Sequence, residues 1–171
     1  IQGANAALGG VAFPEINTQN VVKITSAPFS AVGDGIATNT VAIQKAIDMA
    51  ALGGKTNGQN GGVVEIPAGI FLSGPITLKS SVELRLEGGA LLRMLPFDKY
   101  PGGIRFQTNF SNGRNLHDVA ITGSGAIDGQ GSAWWPYARV NGARRPRMIA
   151  LSSCNRVLIQ NVTLSNSPMF H

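Results

Sequence analysis

The chain has 171 residues, 13% of them charged, with 22 glycines, one cysteine and a net charge of +5. That length suits one domain able to bury a core, the lone Cys154 rules out an internal disulfide, and no apolar run approaches the roughly 18 residues of a membrane span. Sparse charge, many glycines and frequent asparagine favour short strands joined by tight turns over long solvated helices, while the positive balance favours an anionic partner.

Residues 1–28 read as an N-terminal arm. The opening "IQGANAALGGVAF" has neither a charged leader region nor a long apolar one, so any export signal is expected to have been removed. The first sharp element lies in "DGIATNTVAIQKAIDMAALGG", where Ile43, Ala46, Ile47, Ala50 and Ala51 fall at helical offsets. Thr38, Asn39 and Thr40 supply N-cap candidates and Gly53-Gly54 the stop, which predicts a short amphipathic helix.

From there the period changes to two. "GGVVEIPAGIF", "GPITLKSSVELRLEGGALLRM", "DVAITGSGAIDG", "PRMIAL" and "NRVLIQNVTLSNS" are short strands closed by Gly, Asn, Ser or Pro. "NLHDVAITGSGAIDG" and "SCNRVLIQNVTLSNS" superimpose with Val119 on Val157 and Ile121 on Ile159. Once the stretch "SAWWPYARVNGARRP" is set aside as a loop insertion, the repeating unit is about 20 to 25 residues, a solenoid-sized repeat. Val64 and Leu84 share that spacing.

These units predict a β-solenoid, with strands of successive coils paired in parallel and Val, Ile and Leu stacked inside. A hairpin sandwich is the rival, but its turn candidates Asn57-Gly58, Asn112-Gly113 and Asn141-Gly142 do not sit between strong strands. A solenoid needs its ends covered, a task that suits the predicted helix at the start. No cap follows "NSPMFH", so the stack is expected to have been cut there or to be covered by another chain. The domain reading is therefore an arm at 1–28 followed at 29–171 by the cap and first coils of an incomplete solenoid.

"FSAVGDGIATNTVAIQKAID", "GGVVEIPAGIFLSGPITLKSSVELRLEGGALLR", "ITGSGAIDGQGSAWW" and "NVTLSNSPMFH" together resemble the N-terminal half of a polygalacturonase-type enzyme of glycoside hydrolase family 28. The resemblance implies an all-β fold: a right-handed, single-stranded parallel β-helix with one N-terminal capping α-helix. It also implies inverting hydrolysis of α-1,4-galacturonosyl linkages in pectic polysaccharide, without a cofactor. The expected partner is pectin, polygalacturonate or an oligogalacturonide. Export to a secreted or periplasmic location, a monomeric full-length protein, and no binding of membrane or nucleic acid complete the implied picture.

The acids that the family uses lie in Asn-Thr-Asp and Gly-Asp-Asp motifs, with a Gly-His-Gly histidine and an Arg-Ile-Lys cation. None of these motifs occurs in the chain, so no catalytic residue and no metal ligand is expected in it, and residues 1–171 alone are expected to be inactive. Asp34 and Asp48 read as turn and cap residues, Asp128 as a turn residue without a partner, and Asp118 as unpaired. Glu65, Glu83 and Glu87 read as outward strand positions and His117 as a surface turn residue. Cys154 reads as buried and inert.

Three residues are candidates for binding substrate. The resemblance places His171 near the cleft. Arg147, the member of the Arg144, Arg145 and Arg147 group set directly before a strand, presents a guanidinium that suits a galacturonate carboxylate. Trp135, with Trp134, is either a sugar-stacking face or a packing anchor for its loop. Two rival functions stay open: a non-catalytic solenoid that binds acidic glycans or assembles with a partner chain, and a calcium-dependent lyase on the same scaffold.

Overall fold

The computed structural model describes residues 12–102, 108–140 and 142–169. Among these residues thirteen short strands wind through successive coils, and each new coil lays its strands beside those of the coil before. The first coil contributes β1 (Val21–Lys23) and β2 (Asp34–Thr38), then the helix α1 (Thr40–Ala51). The second holds β3 (Gly62–Ile66), β4 (Gly69–Ser73) and β5 (Ile76–Thr77). The third holds β6 (Val82–Leu86), β7 (Ala90–Met94) and β8 (Ser111–Arg114), and the fourth β9 (His117–Thr122), β10 (Ala126–Asp128) and β11 (Ile149–Ser152). A fifth adds β12 (Asn155–Gln160) and β13 (Thr163–Ser165).

Three parallel sheets result. Sheet I runs β1-β3-β6-β9-β12, sheet II runs β2-β4-β7-β10-β13 and sheet III runs β5-β8-β11. The parallel solenoid matches what the repeat implied, and the fold is the right-handed parallel β-helix that the family resemblance implied. The sequence spacing is the structural register: Val64 pairs with Leu84, Val119 with Val157 and Ile121 with Ile159. Stacking of the inward rows, Val64, Leu84 and Ile121 in sheet I against Phe71, Leu92 and Ile127 in sheet II, makes one continuous core.

Helix α1 buries Ile43, Ala46, Ile47 and Ala50 against β1, β3, β5 and β6, closing the first end of that core. Asn39 starts the helix but leaves its first N–H groups uncapped by side chain; its amide is spent on Val32 and Ala37 instead. At the other end the inward side chains of β12, Val157 and Ile159, are 40% and 46% exposed.

The boundary between arm and solenoid differs from the sequence expectation. Val21–Lys23 already pairs with β3, and Ile16, Val22 and Ile24 are buried. Three residues with one inward side chain are too short to show a period, so this strand leaves no pattern in the sequence. α1 accordingly follows the first two strands and does not precede them. Asn112-Gly113, a hairpin-turn candidate by composition, lies inside β8. Gly113 occupies an inward position where a Cβ would stand 2.6 Å from Leu151 Cδ2 and 2.8 Å from Leu116 Cδ1, so the crowding of the neighbouring coil explains the glycine.

Candidate substrate groove

Apart from the connection that carries α1, the two longest excursions between strands of the stack leave sheet II and re-enter sheet III. One lies between β7 and β8, the other between β10 and β11. They meet through an aromatic cluster. The Phe97 ring stacks on Tyr137 at 4.9 Å and meets Trp134 edge-on at 4.7 Å, while Tyr100 meets Trp134 edge-on at 5.5 Å. Trp134 is completely buried, so of the two tryptophans it is the packing anchor.

Beside these loops the outer face of sheet III forms a groove of about 570 Å³. In-register pairing puts Thr77, Asn112 and Ala150 in one transverse row, a floor of small side chains. Arg147, Asn109 and Arg114 line the sides. The backbone of Arg147 is fixed: its N–H donates to Asn109 Oδ1 at 2.9 Å and its carbonyl accepts from the Phe110 N–H at 2.8 Å. Both arginines are exposed, and neither guanidinium has a partner among the described residues. Among the described residues no carboxylate lines the groove. The only charged side chains among its described lining residues are therefore the two guanidinium groups.

Of the three residues singled out in the sequence, Arg147 enters this groove and Trp135 does not line it. Trp135 is 52% exposed, with its indole N–H donating to the Ser167 carbonyl at 2.9 Å. His171 lies outside the described residues. Arg145 donates to the Pro168 carbonyl at 2.8 Å, so this member of the basic group ties its loop to the turn after β13. Arg114 was missed. Its setting, "SNGRN", has no apolar alternation and reads as a turn, although it is the end of a strand.

Three acidic assignments need correction. Asp118 is not unpaired: it is buried and holds Arg156, His117 Nδ1 and the Glu15 N–H. Burial alone would push its carboxyl up, but the Arg156 guanidinium, the Glu15 N–H and His117 more than offset this and hold it well below the usual carboxylate range. Asp128 is not without partners, since it accepts from Arg93 Nε at 3.0 Å, the Gln130 N–H at 3.0 Å and Asn166 Nδ2 at 3.1 Å. Asp48 caps nothing; it stands on α1, 3.6 Å from Lys79. All three missed contacts depend on residues brought close by coiling, some 31 to 38 positions apart in the chain.

Other acidic residues follow their strand positions more closely. Asp34 accepts the Ile36 and Ala37 N–H groups, as a turn residue does, and these bonds draw its carboxyl down. Glu65 faces Lys23 at 3.3 Å. Glu83 points outward yet is buried, held by Arg85 at 2.9 Å and by the Thr122 hydroxyl. Among the described residues no cluster of three His, Cys, Asp or Glu is arranged to hold a metal ion, and no helix is long and apolar enough to cross a membrane.

The profile of Glycosyl hydrolases family 28 matches residues 58–171. A "Probable polygalacturonase" of Vitis vinifera is 35% identical over 162 residues, 84% of this chain and 32% of that protein. An endo-polygalacturonase of Pectobacterium carotovorum subsp. carotovorum is 31% identical, over 78% of this chain and 38% of its own length. The chain thus spans about a third to two fifths of the length of these relatives. Among solved structures, a hyperthermoactive exopolygalacturonase from Thermotoga maritima superimposes with a TM-score of 0.76 at 25% identity, covering 94% of this chain and 44% of that one. A polygalacturonase from Erwinia carotovora ssp. carotovora gives 0.67 at 26% identity, over 94% of this chain and 46% of its own.

Proposed function

The chain belongs to Glycosyl hydrolases family 28, and from that premise we propose that the protein hydrolyses α-1,4-galacturonosyl linkages in pectic polysaccharide with inversion. The observation that carries the reading is the groove on sheet III: two guanidinium groups with no carboxylate beside them, above a floor of small side chains. Guanidinium forks match carboxylates, and every residue of a polygalacturonate offers one.

Within this division of labour, Arg147 meets a uronate carboxylate, and Trp135, half in water, offers a ring face to a pyranose outside the groove floor. His171 keeps the role of a cleft residue. Inverting hydrolysis requires two carboxyl groups about 6.5 to 9.5 Å apart. The groove has none, and Asp118 and Asp128 are each spent on structural partners. In this reading the described residues supply binding surface and not the acids. Export to the cell exterior or periplasm, where the substrate lies, and a monomeric protein belong to the same proposal.

The test is release of reducing ends from polygalacturonate by the purified 171-residue chain, run beside calorimetric titration with oligogalacturonates. Binding without hydrolysis is expected, and clear hydrolysis would overturn the division of labour. The absence of any carboxylate in the groove also favours a second reading, a non-catalytic solenoid that retains acidic glycans. Reducing-end release by a longer chain of the same protein would decide against it.

A further inference from the structure

We infer that Arg114 and Arg147 stand on opposite banks of the sheet III groove and clasp carboxylates of different residues of one acidic chain lying across the strands. The inference rests on the uronate-binding reading above and adds a binding residue, a direction and a minimum ligand length. β8 and β11 pair with Ser111 opposite Ile149 and Arg114 opposite Ser152. The bonds from Asn109 and Phe110 to Arg147 continue that register one step outside the strands. The two arginines therefore lie five positions apart along the strand direction, about 17 Å at roughly 3.3 Å per residue, and on neighbouring coils.

Between them runs the row Thr77, Asn112 and Ala150, one residue from each of three coils, which leads along the solenoid axis. A ligand on that row lies across the strands, with a cation to either side. One galacturonate carries a single carboxylate and so cannot give each arginine a carboxylate of its own. An extended polyanion can, if its charged groups project to both sides. Nothing else in the structure employs either guanidinium, since among the described residues neither has an ion pair or side-chain hydrogen bond. Other arginines of the stack do pair theirs: Arg85 with Glu83, Arg93 with Asp128 and Arg156 with Asp118.

The experiment is calorimetric titration of the full chain and of its R114Q, R147Q and double variants with galacturonate, with a galacturonate pentamer, and with the same pentamer fully methyl-esterified. Lys45→Gln, an exposed change on α1 away from the groove, controls for net charge. The clasp predicts that the pentamer binds far more tightly than the monomer, that each arginine change weakens the pentamer by about tenfold, and that K45Q leaves it unaltered. Esterification, which keeps the sugar ring and removes the charge, is expected to abolish the difference. If the unsubstituted chain binds neither acid, the uronate reading itself fails. If the pentamer binds but R114Q leaves its affinity unchanged, or the monomer binds equally well, the clasp alone is overturned and one point of contact on Arg147 remains. Both arginines are exposed, so unchanged thermal melting verifies that each variant is folded.

Discussion

Arg156 on β12 lays its guanidinium bidentate on the carboxylate of Asp118, the residue at the matching position of β9 in the preceding coil. Both hold left-handed backbone, with φ of 50° and 56°, and the flanking register, Asn155 with His117 and Val157 with Val119, places them face to face. Asp118 also accepts the Glu15 N–H at 2.8 Å, so one buried carboxylate ties the N-terminal strand approach to two coils.

Replacing Asp118 by Asn is expected to destabilise the fold by about 3 kcal/mol, the low end of the cost of breaking a buried pair, because nearly a third of Arg156 remains in water. The pair also fixes a direction with pH. Asp118 is depressed in the folded chain, so its stabilisation is complete above the unfolded carboxyl value of about 3.9 and is lost as pH falls below it. Urea midpoints measured between pH 6 and pH 2.5 should fall more steeply for the parent than for D118N. Parallel curves would remove Asp118 from the account.

Ser111 occupies the inward position of sheet III between Ile76 and Ile149, fully buried, and its hydroxyl has no partner among the described residues. Ser111→Ala removes that unmet polar atom with little change of volume. A gain of about 1 kcal/mol is expected, read as a higher urea midpoint at constant slope. A loss of stability would mean that the hydroxyl is satisfied in solution.

The solenoid was legible because its repeat is written in residues that stack. Val64 over Leu84 and Ile121 over Ile159 are chemically alike, and their spacing survives insertions that fall between sheets II and III. The helix was legible through four buried residues on one face. What stayed hidden has a common cause. Asp118 and Arg156, or Asp128 and Arg93, are partners only because a coil returns the chain to the same place, and an outward pair carries no periodic signal. The groove was half legible for the same reason. Arg147 stands beside an apolar strand, whereas Arg114 ends the strand "SNGR", whose glycine answers to Leu151 in the next coil and whose asparagine faces the groove.

Trp134 and Trp135 are neighbours with opposite surroundings, so their replacement should separate two effects. Trp134→Ala empties the site between Phe97 and Tyr100 and is expected to cost about 3 to 5 kcal/mol. Because the same loop delivers Arg147 to the groove, oligogalacturonate affinity should fall with it. Thermal melting and titration of one preparation would show both losses together; a stable W134A chain would contradict the packing role.

Trp135 calls for a pair of substitutions, since its ring and its N–H have different roles. Trp135→Phe keeps an aromatic face and removes the donor to the Ser167 carbonyl, at a cost of about 1 kcal/mol of stability. Trp135→Ala removes both. If the exposed ring stacks on a sugar, W135F retains oligogalacturonate affinity while W135A loses it, because stacking needs the face and not the N–H. If the residue only fastens the loop to the turn after β13, the two variants lose stability and affinity in step, and the stacking role is withdrawn.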